Sequence, residues 1–147
     1  MWEKNDIREI LISENEIQER AKQLGEQITK DYSSKKPLLV GLLRGSVPFL
    51  ADLMKNIDLD IQFDTMDVSS YEGTESVGEI RILKDLDTPI KGLDIILVED
   101  IVDTGRTLQT VKNTLLHRGA ASVTICTLLN KSARRTVDIQ ADYIGFE

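Results

Sequence analysis

Glu99, Asp100, Asp103, Thr104, Arg106 and Thr107 crowd one short stretch of the chain, Glu99-Asp100-Ile101-Val102-Asp103-Thr104-Gly105-Arg106-Thr107. The second half of it has the makings of an anion cradle. Thr104 and Thr107 supply hydroxyls, Gly105 lets a backbone approach closely, and the helical pattern that follows offers its first N–H groups. Together these suit a phosphate monoester. Glu99 and Asp100 would repel a phosphate, and fit better against sugar hydroxyls or a hard cation. Mg²⁺ prefers oxygen ligands and is usually held by few carboxylates together with substrate phosphates. Cradle and paired acids side by side describe a site for a phosphorylated sugar.

The acids are delivered by the unbroken apolar run Ile95-Ile96-Leu97-Val98. Such a run reads as a strand buried on both faces, as in a parallel sheet covered by helices. Ligands of open α/β sheets bind at the carboxyl ends of such strands. A second run, Leu38 to Leu43, is closed by Arg44-Gly45-Ser46. There a guanidinium, a glycine and a helix N-terminus can grip a diphosphate through charge-assisted hydrogen bonds.

The remaining pattern alternates strands with amphipathic helices. Ser13-Glu14-Asn15-Glu16 is a capping box, and Ile17, Ala21, Leu24 and Ile28 follow at helical spacing to near Tyr32. Val47, Leu50, Ala51 and Met54 predict a second helix over 47–56, and Leu108, Val111 and Leu115 a third that faces inward. Strands are expected at 60–70, 79–83, 94–100 and 123–129, with another beginning at 142. Residues 71–78 lack periodicity and read as a loop. The expectation is one α/β domain spanning 1–147 with a mainly parallel central sheet. Neither Gly-x-Gly-x-x-Gly nor the P-loop pattern occurs.

With 147 residues the chain can bury roughly 68–70% of its unfolded surface. Its net charge of −7 argues against coating nucleic acid, which calls for a basic face. No apolar stretch approaches the ~18 residues of a membrane span, and the N-terminus does not read as a signal peptide. Cys126 is alone, which excludes an internal disulfide framework and suits a cytoplasmic protein. His117 is the single histidine; placed before Arg118-Gly119, it reads as a cation in the last turn of a helix. A histidine-based zinc site is excluded by count.

Val98-Glu99-Asp100-Ile101-Val102-Asp103-Thr104-Gly105-Arg106-Thr107 resembles the phosphoribosyl-diphosphate (PRPP) signature of the type I phosphoribosyltransferases, in the form found among hypoxanthine phosphoribosyltransferases. The resemblance extends over nearly the whole chain. It implies the family's fold, with a flexible active-site loop, and transfer of the 5-phosphoribosyl group from Mg²⁺·PRPP to a 6-oxopurine. Hypoxanthine or guanine would give IMP or GMP plus pyrophosphate, in purine salvage. It implies that Asp103 to Thr107 anchor the 5′-phosphate and that Glu99 and Asp100 hold the ribose and metal. Asp103 becomes the general base near purine N7, where neighbouring phosphate charge favours the protonated carboxyl. Arg44 and Gly45 correspond to the pyrophosphate loop, in which the peptide before the basic residue is often cis. Ser70 and Tyr71 open the loop that closes over the reaction centre, with Glu72 where the family often has glycine. In Lys131-Ser132-Ala133-Arg134-Arg135, Lys131 is implied to donate to the purine's exocyclic oxygen and Arg135 to support the diphosphate. Asn130 and Ser132 depart from the family's Asp-Lys-Pro. The resemblance further suggests an assembly of two or four copies, with neither nucleic acid nor membrane as partner.

The family pattern continues beyond Glu147 with a segment that walls the base site. The expectation is therefore a chain lacking that segment, with weak purine affinity and an uncovered apolar end after 142. Three other readings stay open. A regulatory RNA-binding protein on the same fold should carry a basic face. A phosphoacceptor receiver domain would leave the Arg44 loop and the Asp103–Thr107 turn without purpose. An enzyme preferring xanthine would use the same site.

Overall fold

The computed structural model describes residues 12–70 and 79–147. Helix α1 (Glu14–Asp31) starts at the expected capping box, with the Ser13 hydroxyl accepting from the Glu16 N–H and the Glu16 carboxylate from the Ser13 N–H. There follow β1 (Leu38–Leu42), α2 (Val47–Met54), β2 (Gln62–Ser70), β3 (Ile80–Lys84), β4 (Asp94–Val102), α3 (Arg106–His117), β5 (Ser122–Asn130), a 3₁₀ turn at Ser132–Arg134, and β6 (Tyr143–Phe146). The six strands form one sheet in the order β3-β2-β1-β4-β5-β6. All neighbours pair parallel except β2 with β3.

The central strands are buried on both sides, as their unbroken apolar runs require. Leu38, Val40, Ile95, Leu97, Val123 and Ile125 point to one face, where α3 covers them with Leu108, Val111 and Leu115. Leu39, Ile96, Val98 and Cys126 point to the other, against Ala21, Leu24 and Ile28 of α1 and Phe49, Leu50 and Leu53 of α2. Each fully buried Leu or Ile contributes about 1.5–3 kcal/mol of transfer free energy, so the sheet centre is the stable frame on which the loops are mounted.

One expectation needs correction. Helix α2 buries Phe49, Leu50 and Leu53, while Val47 and Ala51 of the expected face are exposed. Strand β6 is at the sheet edge, paired with β5, and its Ile144 and Phe146 are half-buried. Tyr143 is buried, and the Arg20 guanidinium donates to the carbonyls of Ile144 (2.7 Å) and Gly145 (2.9 Å) from α1. Tyr71 lies outside the described residues.

From β1 the chain returns to the sheet on one side, and β4 enters on the other. The crevice between the carboxyl ends of β1 and β4 is thus the point where strand order reverses, the usual ligand position in open α/β sheets. The loop after β1 and the acids of β4 meet there.

Candidate active site

Register brings the two loops together. Gly41 of β1 pairs with Val98 of β4, so the residues that leave each strand emerge side by side. A Cβ on Gly45 would stand 3.8 Å from Asp100 Oδ2, which sets the Arg44–Gly45 turn against the acidic pair. The Leu43–Arg44 peptide is cis, and Arg44 is exposed. Ser46 is wholly buried at the start of α2 and donates its hydroxyl back to the Leu42 carbonyl.

Glu99 and Asp100 lie where β4 leaves the core. Burial pushes the Glu99 carboxyl up to about 7; the hydrogen bond it accepts from the Asp100 N–H opposes the rise, and the Asp100 charge adds to it. Burial raises Asp100 as well. Both acids are held where their charged forms are disfavoured, the setting that gains most from a cation. Among the described residues, no group of three or more His, Cys, Asp or Glu could hold a metal alone. A pair such as this binds Mg²⁺ only with oxygens from substrate and water.

After β4 the chain turns sharply. Gly105 has φ 86° and precedes α3 with no side-chain cap, leaving the helix N-terminus open to an anion. The space a side chain would take at Gly105 is already filled: its Cβ would meet Ile139 Cγ2 at 2.6 Å and Arg135 Cδ at 2.9 Å. The glycine is therefore required by the fold as well as by the close approach expected of a ligand. Glu99, Asp103, Thr104, Gly105 and Thr107 line a concavity of ≈ 170 Å³. Its rim is joined to β2, because the hydroxyls of Ser70 and Thr107 lie 2.9 Å apart.

The loop after β5 is laced to this turn along its length. The Lys131 N–H donates to the Val102 carbonyl (2.9 Å) and the Thr136 N–H to that of Thr104 (3.0 Å). Arg135 Nη1 donates to the Asp103 carbonyl at 2.7 Å, and Nη2 to Asn130 Oδ1. Arg106 Nε donates to Thr136 Oγ1 at 2.9 Å. Arg135, expected at the diphosphate end, thus has its guanidinium committed to holding the signature turn. Lys131 is exposed beside it.

Two features escaped the sequence reading. Arg134 Nε lies 3.1 Å from Asp103 Oδ1. Asn130 and Ser132, read only as departures, both donate to the Glu147 carboxylate, at 2.9 and 2.8 Å. The basic run drew attention to Arg134, but only the tertiary fold shows which acid it meets. An amide at 130 can serve Arg135 and Glu147 at once, which a carboxylate could not.

The family model described as "Phosphoribosyl transferase domain" matches residues 6–147. Over 150 residues the chain is 55% identical to a hypoxanthine-guanine phosphoribosyltransferase of Lactococcus lactis, covering 99% of this chain and 81% of that protein. It is 54% identical over 142 residues to one of Streptococcus pyogenes, covering 96% and 79%. A crystal structure of a hypoxanthine phosphoribosyltransferase from Staphylococcus aureus superposes with a TM-score of 0.92 at 48% identity, covering 97% of this chain and 78% of that one.

Proposed function

The chain belongs to the phosphoribosyl transferase domain family, and from that premise we propose that it transfers the 5-phosphoribosyl group of PRPP to N9 of hypoxanthine or guanine. The products are IMP or GMP and pyrophosphate, in purine salvage. What supports this most is the meeting of the Arg44–Gly45 turn, the Glu99–Asp100 pair and the uncapped start of α3 at one crevice. Relatives named for this activity match over nearly the whole chain, which does not favour the regulatory RNA-binding reading.

In the reaction, N9 attacks the anomeric carbon, the bond from that carbon to the diphosphate oxygen breaks, and the electron pair leaves with pyrophosphate. The α3 N-terminus with Thr104 and Thr107 holds the 5′-phosphate. Arg44 and the Gly45 backbone hold the diphosphate. Glu99 and Asp100 would hold the ribose hydroxyls and Mg²⁺, which would supply neutralisation of charge on the leaving group. Asp103 takes the proton that the purine loses, and Lys131 donates to the exocyclic oxygen, which selects 6-oxo over 6-amino bases. Arg135 acts through the turn it braces. Ser70 ties the entry of the following segment to the phosphate turn.

We further propose cytoplasmic function in an assembly of two or four copies. Among the described residues, no helix is long and apolar enough to cross a membrane. The deciding experiment is a steady-state assay of PRPP consumption with hypoxanthine, guanine, xanthine, adenine and uracil. Turnover with the first two and little with adenine or uracil is expected; turnover with none of the purines would refute the proposal, and a marked preference for xanthine would reassign the substrate.

A further inference from the structure

Asp103 Oδ1 is sealed from solvent and accepts no hydrogen bond from a described residue. The Asp103 side chain as a whole is 44% exposed, so one oxygen is covered while the rest of the side chain opens outward. Against the covered oxygen stands Arg134 Nε at 3.1 Å. That contact is Coulombic rather than a directed hydrogen bond.

Two neighbouring arginines are occupied elsewhere. Arg135 is fixed on the Asp103 carbonyl and Asn130, and Arg106 donates to Thr136. Arg134, with 65% of its side chain exposed, has room to swing away. Its backbone N–H donates to the Lys131 carbonyl at 3.0 Å, within the 3₁₀ turn, so the arginine on Asp103 and the proposed base-reading lysine share one turn.

We propose that Arg134 is a displaceable counter-ion: it occupies the Asp103 carboxylate before the purine arrives, and the purine must exchange with it. This rests on Asp103 being the proton acceptor. A misaligned and partly exposed ion pair of this kind is weak enough to yield to an N–H donor on the base. The purine then binds against a competitor built into the enzyme.

The test is the apparent KM for hypoxanthine at saturating PRPP, in low and high salt, for the wild type, Arg134→Gln and Arg134→Lys. Screening weakens an exposed ion pair, so the wild-type KM for hypoxanthine should fall as salt rises. Arg134→Gln should lower that KM by up to about five-fold at low salt, the range of an exposed pair, and should lose the salt dependence. Arg134→Lys should behave like the wild type, and the KM for PRPP should be unaffected in both. Repeating Arg134→Gln in an Asp103→Asn background separates this inference from the reading beneath it. If Asp103→Asn keeps full turnover, the assignment of the base fails. If Asp103→Asn is impaired, yet Arg134→Gln fails to lower the KM at low salt or lowers it equally in both backgrounds, the counter-ion role is overturned.

Discussion

The hydroxyl of Ser70, the last residue of β2, lies 2.9 Å from that of Thr107 in the first turn of α3. These residues are far apart in sequence, and their contact ties the strand that leads into the 71–78 segment to the helix start that faces the concavity. A net hydrogen bond of this kind contributes about 0.5–1.5 kcal/mol. Ser70→Ala should therefore raise the KM for PRPP by about two- to ten-fold with little change in kcat. Initial rates at saturating hypoxanthine check this, and an unchanged KM would dismiss the contact as incidental.

Asp103→Asn should retain PRPP binding and lose most turnover, by about 10²–10⁴-fold as is typical of a missing general base. The turn should survive because Arg135 braces the Asp103 carbonyl rather than its side chain. Calorimetric titration of PRPP beside kcat at saturating hypoxanthine separates the effects. Wild-type turnover would remove Asp103 from the chemistry.

Lys131→Glu should erode the preference for hypoxanthine over adenine. The Lys131 side chain is exposed, and its backbone N–H already serves Val102, so the loop should hold. The readout is the ratio of kcat/KM for the two bases. If that ratio is unaltered, another group reads the exocyclic position.

Gly105→Ala would force a side chain into φ 86° and to within 2.6 Å of Ile139 Cγ2. The expected cost is about 2–4 kcal/mol, adding left-handed strain to overpacking. Urea denaturation should show it, accompanied by weaker PRPP binding. A midpoint equal to that of the wild type would mean the turn can relax at no cost.

Glu99→Gln should stabilise the metal-free protein at high pH only. Burial lets the folded carboxyl keep its proton up to about 7, against the ordinary 4.5 of a glutamate. The folded state therefore binds more protons across that window. The stability contributed by the protonated group is whole below about 4.5 and is lost as pH rises through about 7. The full difference corresponds to about 3 kcal/mol at most. Urea midpoints in chelator at pH about 5 and about 8.5 should show the variant's advantage growing with pH, and a constant offset would contradict it.

The sheet centre was legible because a strand buried on both faces admits no polar residue, so Ile95 to Val98 announced itself. The Ser13 box and the Leu108–Val111–Leu115 stripe were legible because local spacing alone sets them. Helix α2 was misread because eight residues allow several apolar stripes, and packing against α1 and the sheet chose Phe49, Leu50 and Leu53. Asp64 was invisible for another reason. On β2 its buried carboxylate accepts from the backbones of Thr65, Asp87 and Thr88, with Lys84 3.5 Å away. Burial works against that charge, but the hydrogen bonds prevail and hold its pKa low. Most of these partners lie some twenty residues on, at no spacing a motif could betray. The pair of Arg134 with Asp103 belongs to the same class, since it depends on β4 and β5 ending side by side.

Main-chain hydrogen bonds fasten the 131–136 loop to the signature turn at both ends, so Lys131, Asp103 and Thr104 are mounted on one frame. With the proposed roles of Lys131 and Thr104, phosphate and purine edge would be gauged against a single template, and the span between them is a covalent length of the nucleotide itself. A sugar phosphate longer or shorter by one carbon would present its anomeric carbon out of line with the base, however tightly its phosphate was held.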